Sequence, residues 1–188
     1  MKGKAVALFA AVALIAAGCG GASPETAGPS EGIQVHGDWT IDVYDEDGTL
    51  DQHVEFSNAL LTSGGQWLAS VVTGGLTAGT WGIIARDQNN DPGAPCGDGA
   101  SVCQNSNVDV SVAGGAFTLS AAFDATRAGV VEVVETQTWS CPSDSAPAAC
   151  DENAAIANLF TGTTLPETIA IEAGQTFDVQ VEISFTTG

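Results

Sequence analysis

Residues Thr176 to Thr186 read TFDVQVEISFT, and their strict alternation decides the fold. Phe177, Val179, Val181, Ile183 and Phe185 fall on one side, and Asp178, Gln180, Glu182 and Ser184 on the other. Successive side chains of a strand point to opposite faces, so this pattern marks a strand buried on one side and wet on the other. The same period recurs near the other end of the chain. Ile33 to Asp45 sets Trp39, Ile41 and Val43 against Thr40, Asp42 and Tyr44, and Asp47-Gly48 then supplies a two-residue hairpin turn. Folding back at that turn places Trp39 opposite Phe56, Ile41 opposite Val54 and Asp42 opposite His53. Apolar meets apolar and polar meets polar, which is the register a half-buried hairpin needs.

Further strands are expected at Trp81 to Asp87, Val108 to Val112, Ala116 to Asp124 and Thr168 to Glu172. Gly129 to Cys141 is rich in valine on both faces and belongs at the centre of a sheet. Between Asn58 and Thr73 the period changes. Leu60, Leu61, Trp67, Leu68, Val71 and Val72 recur at helical spacing, with Thr62 or Ser63 as candidate caps and Gly74-Gly75 as a stop. About eight strands and one short helix near residues 62–73 predict a mainly β fold, an antiparallel β-sandwich of the immunoglobulin-like or jelly-roll kind. Trp39, Trp67 and Trp81 sit on its apolar faces, whereas Trp139, beside Cys141 at a strand end, is the aromatic expected at a binding surface.

The first residues have a different character. Lys2 and Lys4 precede an apolar run from Ala5 to Ala17, 13 residues that would make roughly 20 Å of helix. That is short of the ~30 Å hydrocarbon core, so residues 1–18 read as a signal peptide and not as a permanent span. The junction Leu14-Ile15-Ala16-Ala17-Gly18-Cys19 resembles the lipobox of bacterial lipoproteins, with Ala16 where leucine is more usual. The resemblance implies cleavage before Cys19, lipidation of its thiol and amine with palmitate-type chains, and an anchor in the cell envelope. Gly20 and Gly21 in place of aspartate imply an outer-membrane destination if the host has an outer membrane. Residues 20–32 (GGASPETAGPSEG) then read as a flexible tether of order 20 Å, leaving residues 33–188 as the sandwich domain.

Charge excludes one class of partner. Both lysines precede Cys19, so the remainder keeps Arg86 and Arg127 against all 23 carboxylates, a net charge near −21. Such a surface repels nucleic acid and anionic headgroups. Apart from Cys19 there are four cysteines. Export implies oxidising conditions, where an even count forms disulfides. Cys96–Cys103 and Cys141–Cys150 is the expected pairing, because each pair lies inside one Gly/Pro/Asp-rich loop; the spacings are not the CxxC of a zinc site.

Chemistry-bearing motifs are sparse. Asp87-x-Asn89-x-Asp91 places oxygen side chains at alternate positions of a loop, with Gly93 and Asp98 beyond, and makes calcium the expected cofactor if there is one. Asp45, Asp47 and Asp51 are a weaker set, since the hairpin turn needs Asp-Gly anyway. His36 and His53 are not cross-strand partners, and His53 opposite Asp42 reads as a surface pair. No GxSxG, HExxH, Walker or GxGxxG motif occurs. Three stretches of the body resemble a structural module of tailed-phage and prophage virion proteins: Phe56-Ser57-Asn58-Ala59-Leu60 with Trp67-Leu68-Ala69, Phe117 to Glu135, and Leu165 to Phe185. That likeness implies a structural or receptor-contacting β module without catalytic residues; the virion family has no lipobox, which points to reuse at a cell surface. The expected function is therefore a non-enzymatic surface lipoprotein, structural, adhesive or assembling. The alternatives are a carbohydrate-binding module using Tyr44 and Trp139, or a hydrolase built on an unidentified carboxylate pair.

Overall fold

The computed structural model describes residues 33–90, 94–97, 100–146, 149–150 and 156–187. In these, nine strands and one helix follow in the order β1 (Ile33–Tyr44), β2 (Leu50–Ala59), α1 (Thr62–Val72), β3 (Leu76–Arg86), β4 (Val102–Asn105), β5 (Asp109–Ala113), β6 (Ala116–Asp124), β7 (Gly129–Pro142), β8 (Ile156–Ile171) and β9 (Thr176–Thr187). They form two antiparallel sheets, one five-stranded in the order β2-β1-β9-β6-β5 and one four-stranded in the order β4-β3-β7-β8. The expected mainly β sandwich with one short helix is the architecture found.

The three expected pairs of the hairpin hold, with Trp39 facing Phe56, Ile41 facing Val54 and Asp42 facing His53. The turn, however, is not the expected two-residue one. The register shifts between Val43 and Tyr44, Tyr44 pairs with Leu50, and Asp45 to Thr49 form a longer loop in which Gly48 N–H donates to the Asp45 carbonyl at 2.8 Å. Gly48 takes a φ of +80°, which a side-chain-bearing residue resists, and Thr49 N–H donates to Asp47 Oδ1 at 2.9 Å to close the turn. β9 lies in the middle of the five-stranded sheet between β1 and β6. Its inward residues Phe177, Val179, Val181 and Ile183 are fully buried, and Phe177 stacks on Phe123 with ring centroids 4.8 Å apart. Across the core stand Ile83, Val131, Val134, Phe160, Ile169 and Ile171 from the other sheet. Phe185 departs from the expected pattern: it keeps the inward phase but is 40% exposed, because it stands at the end of β9 where less packs over it.

The helix begins without either candidate cap. Its N-cap is Leu61 and no side chain caps it; Ser63 Oγ donates instead to the Leu159 carbonyl on β8, at 2.9 Å. The glycines that weaken the helix as a helix allow it to sit down on the sheet. A Cβ on Gly64 would collide with the Phe160 carbonyl oxygen, so only glycine permits this approach. Trp67 packs edge-on against Phe160 and Trp81, at 5.4 and 5.6 Å. Gly74, at φ +73°, ends the helix as expected, its N–H donating to the Val71 carbonyl. Among the described residues no helix is long and apolar enough to cross a membrane.

Three extents differ from the sequence reading. β3 starts at Leu76 and not Trp81, β8 starts at Ile156 and not Thr168, and β4 was not anticipated. Irregular register explains the first two: β3 shifts between Ala78 and Trp81, and β7 shifts against β8 at two places. Each shift breaks the period of two that makes a strand readable. Both expected disulfides are present, with Cα atoms 5.3 Å apart in Cys96–Cys103 and 5.7 Å apart in Cys141–Cys150.

Candidate functional site

The outward face of the five-stranded sheet carries the largest ordered array of polar groups. Strand register sets it out in rows. One row runs His53, Asp42, Asp178 and Ala122; the next runs Glu55, Thr40, Gln180, Ser120 and Asp109; a third runs Ser57, Asp38, Glu182, Thr118 and Ser111. Ser120 and Ala122 are small, so the sheet dips between the carboxylates of Asp42, Asp178 and Asp109. The result is a shallow depression of about 340 Å³, lined also by Thr40 and Gln180.

Electrostatics concentrate at one corner of this hollow. His53 Nδ1 lies 2.5 Å from Asp42 Oδ1, and its Nε2 lies 3.5 Å from Glu55 Oε1. The hydrogen bond to Asp42 raises the imidazole above its ordinary value, with the charges of Asp42 and Glu55 adding to it. Both ring nitrogens thus face carboxylates, so that His53 bridges two acids when it is protonated. Asp178, directly across from Asp42 on β9, is raised by partial burial first and by the Asp42 charge second. Tyr44, two residues beyond Asp42 on the same side of β1, is raised by desolvation and by the charges of Asp42 and Asp178. The arrangement offers carboxylates, hydroxyls and one amide, a set suited to hold cationic or polyhydroxylated groups.

The sequence-derived candidates separate. Trp139 is not a surface residue: it is 2% exposed. Its ring lies along the outer side of the four-stranded sheet above Gly82, where a Cβ would come within 2.8 Å of Cη2. A notch in the neighbouring strand thus receives the indole that the strand-end position suggested would face solvent. Of the expected calcium ligands, Asp87 follows β3 directly and Asn89 is exposed in the turn beyond it, while Asp91 and Asp98 lie outside the described residues. Among the described residues no group of three or more His, Cys, Asp or Glu side chains is placed to hold a metal ion. His36 and His53 are far apart on the sheet, opposite Ala59 and Asp42 respectively.

Asp45 and Asp51 do converge, but on an amide. The nearly buried Gln175 donates Nε2 to Asp45 Oδ1 at 2.9 Å and to Asp51 Oδ2 at 3.2 Å, while its Oε1 accepts from the Glu172 N–H at 2.8 Å. The NH₂ group occupies the position between two carboxylates that a cation would take. Asp47 stays out of the cluster, its acidity strengthened by the hydrogen bonds from Thr49. Gln175 could not be picked out from the sequence, because its partners are 124 and 130 residues away.

The fold and the site together define an acidic two-sheet β-sandwich with one broad polar face. No protein-family model, curated protein or solved structure matches the chain.

Proposed function

We propose that this protein is a non-enzymatic cell-envelope lipoprotein, anchored through Cys19, whose sandwich acts as an adhesive or assembly module. The contact surface would be the outward face of the five-stranded sheet. The observation that carries this reading is the placement of the polar rows on one rigid sheet whose strands are hydrogen-bonded across its width. Such a platform holds many weak acceptors in fixed register, which suits recognition of a surface more than turnover of a substrate. Two features support it. Both nitrogens of His53 are engaged by carboxylates and not by a hydroxyl or thiol that they could activate. The two disulfides suit an oxidising compartment outside the cytoplasm.

A carbohydrate-binding role is the second reading. It now rests on Tyr44 at the edge of the carboxylate hollow, since Trp139 is buried. The deciding experiment for the anchor is metabolic labelling with radioactive palmitate in cells making the full chain or Cys19→Ser. Label in the wild type and none in the variant is the expected result. Equal labelling, or none in either, would remove the lipoprotein reading.

A further inference from the structure

The two sheets do not cover each other completely. β4 pairs only with Ile83 to Arg86, so the rest of β3 has no β4 partner alongside it. Opposite that gap lies the inner face of the β5–β6 hairpin, and a groove of about 360 Å³ opens there, lined by Trp81, Val110, Val112, Phe117 and Phe185. No described lining residue is charged. Val112 is 78% exposed and Val110 52%, although both keep the phase of buried positions, opposite Phe117 and Leu119. Ile33, 73% exposed, continues the same face two residues beyond Val35, the cross-strand partner of Phe185.

The position of this patch along the strands points to its partner. β1 begins at Ile33, so the chain from Cys19 enters the sandwich beside the groove. The residues between them have a mean span of order 20 Å, from 5–6 Å times the square root of their number. A lipidated Cys19 would therefore hold the patch close to the bilayer. The carboxylates lie the other way: Asp42, Asp45, Asp47, Asp51, Glu172 and Asp178 gather at or near the far ends of β1 and β9. Among the described residues no carboxylate lines the groove, and this group of six stands at the other end of the same two strands. Two unrelated ligands would not require that separation to follow the tether; a membrane would.

We infer that the groove and its rim, from Ile33 through Phe185 to Val112, are a membrane-docking surface that seats on the interfacial layer of the bilayer holding the Cys19 anchor. The seated domain stands upright, with that acidic group turned away from the headgroups. This inference rests on the lipid-anchor reading for its geometry, and its test separates the two.

Trp81 is the reporter, because Trp39, Trp67 and Trp139 are buried. Full-length lipidated protein is reconstituted into phosphatidylcholine vesicles with and without lipids brominated on the acyl chain, and tryptophan quenching is read. The wild type should be quenched and Trp81→Phe should lose the quenchable fraction. Val112→Asp should lower docking about tenfold, as expected for replacing one buried aliphatic side chain by a charge at a lipid interface. Ile33→Ser serves as a second variant, and an unchanged urea midpoint shows that both fold. Palmitate labelling reads the anchor separately. Labelled protein whose quenching does not differ between the wild type and both variants overturns the docking inference. Quenching of unlabelled protein by added vesicles keeps docking and removes the anchor. A patch variant that abolishes a dimer without changing quenching assigns the surface to a second copy of the chain and overturns the membrane.

Discussion

The outward faces of the two sheets differ more than their strand counts suggest. On the five-stranded sheet the outward residues of β1 and β9 are polar and alternate with buried ones along each strand. On the four-stranded sheet Ile84, Val133, Gln137, Trp139 and Cys141 all face outward and are all buried. Two long side chains are seated over glycines on this side. Trp139 lies over Gly82, and Glu135 lies over Gly162, where a Cβ would come within 2.7 Å of its Cγ. The Cys141–Cys150 staple brings Cys150 against β3 at Gly79, with the Cys150 carbonyl accepting from Thr80 N–H at 3.2 Å. One sheet has an inside and an outside. The other has two insides, and this difference decides which residues bear load.

The sharpest way to break the comparison is Trp139→Ala. A buried indole seated in a glycine notch should cost about 3–5 kcal/mol when truncated. Gln180→Ala, outward on the other sheet, should cost under about 0.5 kcal/mol. Urea denaturation of both variants reads the contrast directly, and a Trp139 loss as small as that of Gln180 would mean the outer layer is solvated after all. Next in size is Arg86→Ala. Arg86 meets Glu135 through two of its three guanidinium nitrogens, Nε at 3.1 Å and Nη2 at 3.2 Å, with side chains only 18% and 12% exposed. Removing the cation leaves a mostly buried carboxylate without its partner and should cost about 2 kcal/mol, discounted for the water that still reaches the pair. The double variant Arg86→Met with Glu135→Gln should recover most of that loss in the same measurement, since no lone charge remains.

The same difference decides how legible each strand is in the sequence. Strands β1, β2, β6 and β9 were legible because water on one side enforces alternation; β9 declares it across Phe177 to Ser184. β8 was read only over its last residues, since Ile156 to Pro166 combines two register shifts with Gly162 and loses its period. β4 is too short to show one. The hairpin register was legible down to Asp42 opposite His53, and with it one corner of the candidate site. Asp178 as the third member was not, because β9 reaches β1 from more than a hundred residues away and nothing local announces the pairing. The burial of Trp139 is hidden in the sequence for a related reason. A tryptophan at a strand end looks exposed until a glycine on the neighbouring strand is known to lie under it.

The smallest expected effects sit on the wet face, and their signs make them informative. Asp178 has its acidity weakened in the folded state, by burial and by Asp42 directly across the strand pair. A carboxyl raised on folding favours the native state while it is protonated, so its contribution falls as pH rises past the unfolded value of about 3.9 and through the folded one. Asp178→Asn should therefore stabilise the protein near pH 7 by about 0.5 kcal/mol, the scale of a like-charge cross-strand pair, and have no effect well below pH 4. His53 runs with the opposite charge and the same direction in pH. Its folded value is raised by the bond to Asp42, so its stabilisation is complete below the unfolded value of about 6.5 and disappears as pH climbs through the folded one. Urea midpoints of wild type and His53→Gln between pH 5.5 and 8 should converge at the alkaline end and separate at the acid end. If the variant keeps the wild-type slope, the Asp42–His53–Glu55 bridge does not form in solution. The polar face would then be a set of carboxylates not bridged by a histidine.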